Sequence, residues 1–191
     1  MELLTRSEFI QAYWPDAVRA TAGSGIFPEV LLVAAIVESQ GQVNGTYYPG
    51  QSRLAKDAKN FFGIKGTGPA GSVLMNTNEY INGQLVTVAS NFRKYNTVLE
   101  SFADYVRFLK DNPRYTTGGV FNASTPAEQF QALQASGYAT NPSYASLLTS
   151  VLNSLENTFS QLPRIVNNNG LLVMAAFLIY LIFTNGRKNK N

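Results

Sequence analysis

Residues 29–39, EVLLVAAIVES, constrain the fold of this 191-residue chain more than any other stretch. A helix apolar on nearly every face cannot lie on a surface, so other elements must enclose it. Pro28 stands where a first helical residue belongs, with its fixed φ already suited to the helix. The segment carries one carboxylate near its C-terminal end, Glu38. Hydrophobic residues make up 45% of the chain and charged residues 14%, a balance that supports a packed core.

Two absences limit the chemistry. The chain has no Cys and no His. Disulfides, thiolate or imidazole nucleophiles and the usual zinc ligand sets are therefore excluded. Any catalysis must use carboxylates, Tyr, Lys, Ser/Thr or backbone dipoles, and we expect no metal and no cofactor. Charge is uneven. Residues 1–169 carry 12 Lys/Arg and 12 Asp/Glu, so the net +3 comes from Arg187, Lys188 and Lys190. A basic domain that could track a phosphate backbone is lacking, and nucleic acid is not an expected partner.

The remaining pattern reads as a mainly helical α+β domain over residues 1–162. Thr5 and Glu8 have capping-box spacing for a first helix, which Pro15 should break before a second short helix at 16–21. Residues 40–53 are turn-rich, and 54–59 read as a turn or two of helix. Residues 72–81 and 85–95 flank Asn82-Gly83, a strong hairpin signal. Thr97 and Glu100 open a helix at 98–111, with Phe102, Tyr105, Val106 and Leu109 on one face. Thr125-Pro126-Ala127-Glu128 starts another, and a last amphipathic helix should run from Pro142 to about Phe159.

Glu38 sits where apolar neighbours would raise its pKa, the condition for a general acid near neutral pH. The bland alternative is a carboxylate that simply leaves the core at a helix end. Glu79, on the expected hairpin, is either a second carboxylate facing a cleft or part of a solvated strand face. Ten tyrosines, among them Tyr47, Tyr48, Tyr80, Tyr115, Tyr138 and Tyr144 in or near loops, suit stacking and hydrogen bonding to sugars. FGIKGTG lacks the GK[ST] ending of a phosphate-binding loop.

VESQG (37–41), LAKDAKNFFGIKG (54–66), TNEYINGQ (77–84), FRKYNTVLESFADYVRFL (92–109), NPRY (112–115) and GYATNPSYA (137–145) occur in that order. Across residues 26–155 the chain resembles the endo-β-N-acetylglucosaminidases of glycoside hydrolase family 73, which cleave peptidoglycan. The resemblance implies a lysozyme-like two-lobed fold with a small β-hairpin lobe. It implies Glu38 as general acid, Glu79 as base or stabiliser, and Tyr138 beside the acid. It also implies that Asn60, Phe62, Tyr80, Tyr115 and Tyr144 line a groove for glycan strands. A carboxylate separation of about 5 Å would suit covalent retention, and about 6.5–9.5 Å inversion. The chain departs from the family pattern in lacking the Trp of ESGWG, in about eight extra residues within 42–51, and in Asn141 where GYATDP has Asp. A lytic transglycosylase or muramidase of the same fold, and a wall-binding module without activity, are the competing readings.

Beyond a linker at 163–169, residues 170–184 read GLLVMAAFLIYLIFT, followed by a basic tail at 186–191. Fifteen helical residues span about 22 Å, short of the roughly 30 Å hydrocarbon core, but Arg187 and Lys188 can snorkel. Residues 170–185 are therefore expected to be a transmembrane helix in a lipid bilayer. The start, MELLTRSEF, has no apolar stretch behind a basic one and does not read as a secretory signal. Together these suggest a lysin anchored in the virion membrane of a lipid-containing phage, with the bacterial cell envelope as the alternative. Neighbouring virion or envelope proteins are the expected partners.

Overall fold

The computed structural model describes residues 2–81 and 84–163, the side chains of 78–81 and 85 excepted. Residues 1–159 form one compact unit. Helix α1 (Arg6–Thr21) starts at the expected capping box: the Thr5 hydroxyl accepts from the Glu8 amide at 3.3 Å, and the Glu8 carboxylate accepts from the Thr5 amide at 2.8 Å. It does not break at Pro15. Buried Phe9, Ile10, Trp14, Ala17 and Thr21 continue one stripe through that position. Packing of the stripe offsets the hydrogen bond that Pro15 cannot donate.

Helix α2 (Pro28–Ser39) is the enclosed helix. Its residues from Val30 to Ile36 are all fully buried, and it packs against α1 and two later helices, Pro126–Ala135 and Tyr144–Ser154. The next stretch, expected to be only turns, forms a short hairpin of β1 (Gly41–Val43) and β2 (Thr46–Tyr48). Asn44 and Gly45 make its turn with φ of 50° and 83°, the left-handed pair that a type I′ turn needs. The hairpin base is tight. A Cβ at Gly41 would lie 2.3 Å from the Gln51 carbonyl oxygen. Helix α3 (Arg53–Ala58) follows and ends on left-handed Lys59.

Strands β3 (Ser72–Ile81) and β4 (Gln84–Arg93) pair antiparallel from Ser72↔Arg93 to Ile81↔Gln84, as the sequence suggested. The hairpin base is pinned by backbone bonds from Gly66 to Asn91 and from Arg93 to Ile64. Away from that base its surface is open: Leu74 is 64% exposed.

Helices α4 (Val98–Asp111), α5 (Pro113–Thr117), α6 (Pro126–Ala135) and α7 (Tyr144–Ser154) complete the helical lobe, with a 3-10 turn at Val120–Asn122. The last helix is shorter than expected. It stops at Leu155, and a separate α8 (Glu156–Ser160) follows. The aromatic core joins α1 to α4 through Phe9, Tyr13, Phe61 and Phe102, with ring centroids 4.8–6.3 Å apart.

Buried Asp104 fastens the end of β4 to α4. It accepts from Arg93 at 2.7 and 2.9 Å and from the Tyr95 hydroxyl at 2.6 Å, and it pairs with Arg107. Burial works to raise the Asp104 pKa, but these bonds outweigh it and hold the carboxylate below its ordinary value.

Among the described residues no helix is long and apolar enough to cross a membrane. The expected membrane span and basic tail, and the linker from residue 164 on, lie outside the described residues.

Candidate active site

Glu38 lies on the last turn of α2, next to two bonds that fix the following loop. The Ser39 hydroxyl accepts from the Gly50 amide at 2.9 Å, and the Ser39 carbonyl accepts from the Ser52 amide at 2.8 Å. The helix end cannot drift, and the carboxyl is held at one wall of a cleft of about 410 Å³. That volume lies within the roughly 300–1,000 Å³ of ordinary ligand sites.

Behind Glu38 stands Tyr144, the first residue of α7, whose hydroxyl donates to the Glu38 carboxylate at 2.8 Å. The Tyr144 ring is buried, whereas Glu38 itself is exposed to the cleft. Desolvation by the surrounding protein raises the Glu38 pKa, and the Tyr144 bond partly opposes it by favouring the ionised form. Water in the cleft limits the size of the rise.

Tyr138 reaches the same place from α6. The helix ends on Gly137 at φ 73°, and the Tyr138 amide bonds back to the Leu133 carbonyl at 3.0 Å. This Schellman turn folds Tyr138 against the helix it follows. Its ring lies 5.6 Å from Tyr144, 5.9 Å from Tyr105 and 6.2 Å from Tyr115. Phe62 stacks on Tyr105 at 4.0 Å and 13°.

Burial raises the pKa of all four phenols in this group, and the Glu38 charge adds to the rise for Tyr105, Tyr138 and Tyr144. They stay protonated and offer hydroxyl donors rather than charge. The Tyr105 hydroxyl is buried near that of Tyr138 without full hydrogen-bond geometry.

Of the residues singled out from the sequence, Glu38, Phe62, Tyr115 and Tyr138 line one cleft, and Tyr144 touches Glu38 from behind. Asn60 does not join them. It is buried, its amide donates to the Ile64 and Arg93 carbonyls at 2.9 Å, and its Oδ1 accepts from the Phe62 and Ile64 amides. Asn60 shapes the 60–64 turn that carries Phe62 and leaves no polar atom for a sugar.

Glu79 and Tyr80 fall on β3 opposite Val86 and Leu85, with side chains outside the described residues. Asn141, found where the family pattern has Asp, keeps a capping bond: its Oδ1 accepts from the Ser143 amide at 2.9 Å. A neutral amide oxygen serves there as a carboxylate would.

Three charged cleft residues had no role assigned from the sequence: Lys65, Arg93 and Arg114. Each lies inside a quoted motif, GIKG, FRKY or NPRY, and their clustering required the folded structure. Tyr105 was read only as part of a buried helix face, yet it backs the cleft.

Residues 14–157 match the family described as Glucosaminidase, mannosyl-glycoprotein endo-beta-N-acetylglucosaminidase. The peptidoglycan hydrolase FlgJ of Salmonella typhimurium is 34% identical over 158 residues, covering 78% of this chain and 46% of its own length. A probable N-acetylmuramidase of Lactococcus lactis subsp. cremoris is 33% identical over 156 residues, covering 78% of this chain and 34% of its own. The chain thus spans less than half the length of these curated relatives. The catalytic domain of the autolysin Auto from Listeria monocytogenes superposes with a TM-score of 0.68 at 29% identity, covering 83% of this chain and 89% of that one. A carboxylate at the end of a buried helix, a cleft walled by tyrosines and these matches agree: the chain belongs to the glucosaminidase family of glycoside hydrolases, family 73.

Proposed function

We propose that the chain is a peptidoglycan hydrolase that cleaves the β-1,4 bond between N-acetylglucosamine and N-acetylmuramic acid. The observation that carries the reading is the Glu38 carboxyl, held by Tyr144 in a partly desolvated cleft that favours the protonated acid. Glu38 gives its proton to the bridging oxygen as the glycosidic bond breaks, and the leaving sugar departs as an alcohol. The positive charge growing on the sugar ring is met by water activated at Glu79, or by the substrate's own acetamido oxygen. Tyr138 supplies a neutral hydroxyl beside the acid, and buried Phe62 and Tyr115 form the floor of the cleft beneath it. Family membership and relatives named as peptidoglycan hydrolase and probable N-acetylmuramidase support the substrate class. The family is described as a glucosaminidase while one relative is named a probable N-acetylmuramidase, so muramidase action is the second reading.

For residues 170–185 we propose a membrane anchor, supported by an uncharged run ahead of a basic tail. The favoured setting is the membrane of a lipid-containing phage, where the enzyme opens the host wall locally. The cell envelope of a bacterium is the other setting. Protease protection of the domain in intact membranes tests the anchor, and digestion of an unprotected domain together with its release by high salt would contradict it.

Purified sacculi incubated with the full chain, then reduced with borohydride and analysed by mass spectrometry, test the activity. Reduced N-acetylglucosamine ends are expected, with release falling by about 10²–10⁴-fold in Glu38→Gln. Reduced N-acetylmuramic acid ends would move the cut to the muramidase bond, and anhydro ends would make the chain a transglycosylase. Binding without fragments would leave a wall-binding protein.

A further inference from the structure

Hydrolysis of a neutral sugar polymer gives no reason for the charge around this cleft. Among the described residues one carboxylate, Glu38, shares the wall with Lys65, Arg93 and Arg114. Arg93 is held by Asp104, but Asp104 also pairs with Arg107, so two guanidinium groups flank one carboxylate and a net positive charge remains at that corner. Arg114 is held by its neighbour. Its guanidinium lies 4.7 Å from the Tyr115 ring centroid, and its Nη2 donates to the Tyr115 hydroxyl at 2.6 Å. That fixes the side chain of an otherwise exposed residue and leaves the rest of its donor fork for a ligand. A held, exposed guanidinium is the group that best pairs with a planar carboxylate.

We infer that the cleft binds a carboxylate of its substrate, with Arg114 as the principal contact and the Arg93 corner supplying the surrounding positive potential. The inference rests on the peptidoglycan reading above and deepens it. In that polymer the carboxylate belongs to the stem peptide or, where an amidase has removed the stem, to the lactyl ether of N-acetylmuramic acid, and a chitin-like chain has neither. The cationic wall therefore selects wall glycan over neutral glycan, and the selection weakens with salt.

The test uses soluble glycan strands in two forms, peptide-bearing and stripped of peptides by an amidase. Each is used as such and after carbodiimide conversion of its carboxylates to methylamides. Kd is read from anisotropy of labelled strands, and KM and kcat from release of reducing ends, for the full chain and for Arg114→Gln and Arg114→Lys. Amidation should raise Kd and KM about tenfold, with kcat changed less than about twofold, as for an interaction made equally in ground and transition states. Arg114→Gln should abolish most of that discrimination and Arg114→Lys keep part of it. The discrimination should also shrink as salt rises from about 0.01 M to about 1 M.

An effect on stripped strands assigns the carboxylate to the lactyl group, and an effect confined to peptide-bearing strands assigns it to the stem. Either sustains the inference. Equal Kd and KM before and after amidation on both strand types would overturn it. Failure to cleave any strand would instead remove the hydrolase reading, with the amidation effect still read from Kd.

Discussion

The end of α2 and the β3–β4 hairpin are built on opposite terms. The residues of α2 from Val30 to Ile36 have no exposed surface, whereas Leu74 on β3 is 64% exposed and Val86 on β4 is 38% exposed. The first region is held by side-chain packing on every face. The second is held by its own ladder of backbone bonds and by pins at its base. The difference suits the two tasks of a glycosidase cleft. An acid needs a fixed position and partial desolvation, which only packing supplies. A cleft wall needs a reach and a register, which a hairpin supplies with little dependence on which side chains it shows to water.

The comparison can be broken by substitutions on either side. Leu32→Ala, in the fully buried part of α2, should cost about 2–5 kcal/mol in urea unfolding. Asp104→Asn comes next, at about 2 kcal/mol near neutral pH, because it leaves partly buried Arg93 without its charge partner. Arg107, 64% exposed, adds little through screened attraction. The sign with pH follows from the direction of the shift. A folded-state pKa below the ordinary 3.8 means that the contribution is complete above that value and fades as pH falls through the lower, folded-state pKa. The gap between wild type and Asp104→Asn should therefore be widest at neutral pH and close only below about pH 3.8. Leu74→Thr, on the open hairpin, should change stability by less than about 0.5 kcal/mol. A loss comparable to that of Leu32→Ala would show that packing, not the ladder, holds the hairpin.

The same contrast explains which parts of the fold could be read from the chain. Helix α2 was legible because an all-round apolar helix has one physical solution, and the starts of α4 and α6 because a cap residue and a third-position Glu act locally. The β3–β4 hairpin was legible from its Asn-Gly pair and the strand-length runs on either side. An identical pair, Asn44-Gly45, was passed over because its flanks are three residues long, and there the β1–β2 hairpin formed. Pro15 was read by its local cost, while tertiary packing decided the outcome. Asn60 lies in a motif that suggested a sugar contact, but its hydrogen bonds close inward, which no local pattern reveals. Lys65, Arg93 and Arg114 are spread over 50 positions, and only the fold makes them neighbours of Glu38.

The account depends most on Glu38 titrating as the acid under the control of Tyr144, and a pH profile of kcat/KM for wild type and Tyr144→Phe tests that directly. The Tyr144 hydroxyl donates to the carboxylate and favours its ionised form, so removing it should raise the Glu38 pKa further. The alkaline limb, where the acid loses its proton, should move to higher pH, with the maximal rate lowered by about tenfold or less as positioning is lost. An alkaline limb that stays in place, or moves to lower pH, would contradict the assignment of Glu38 as the general acid.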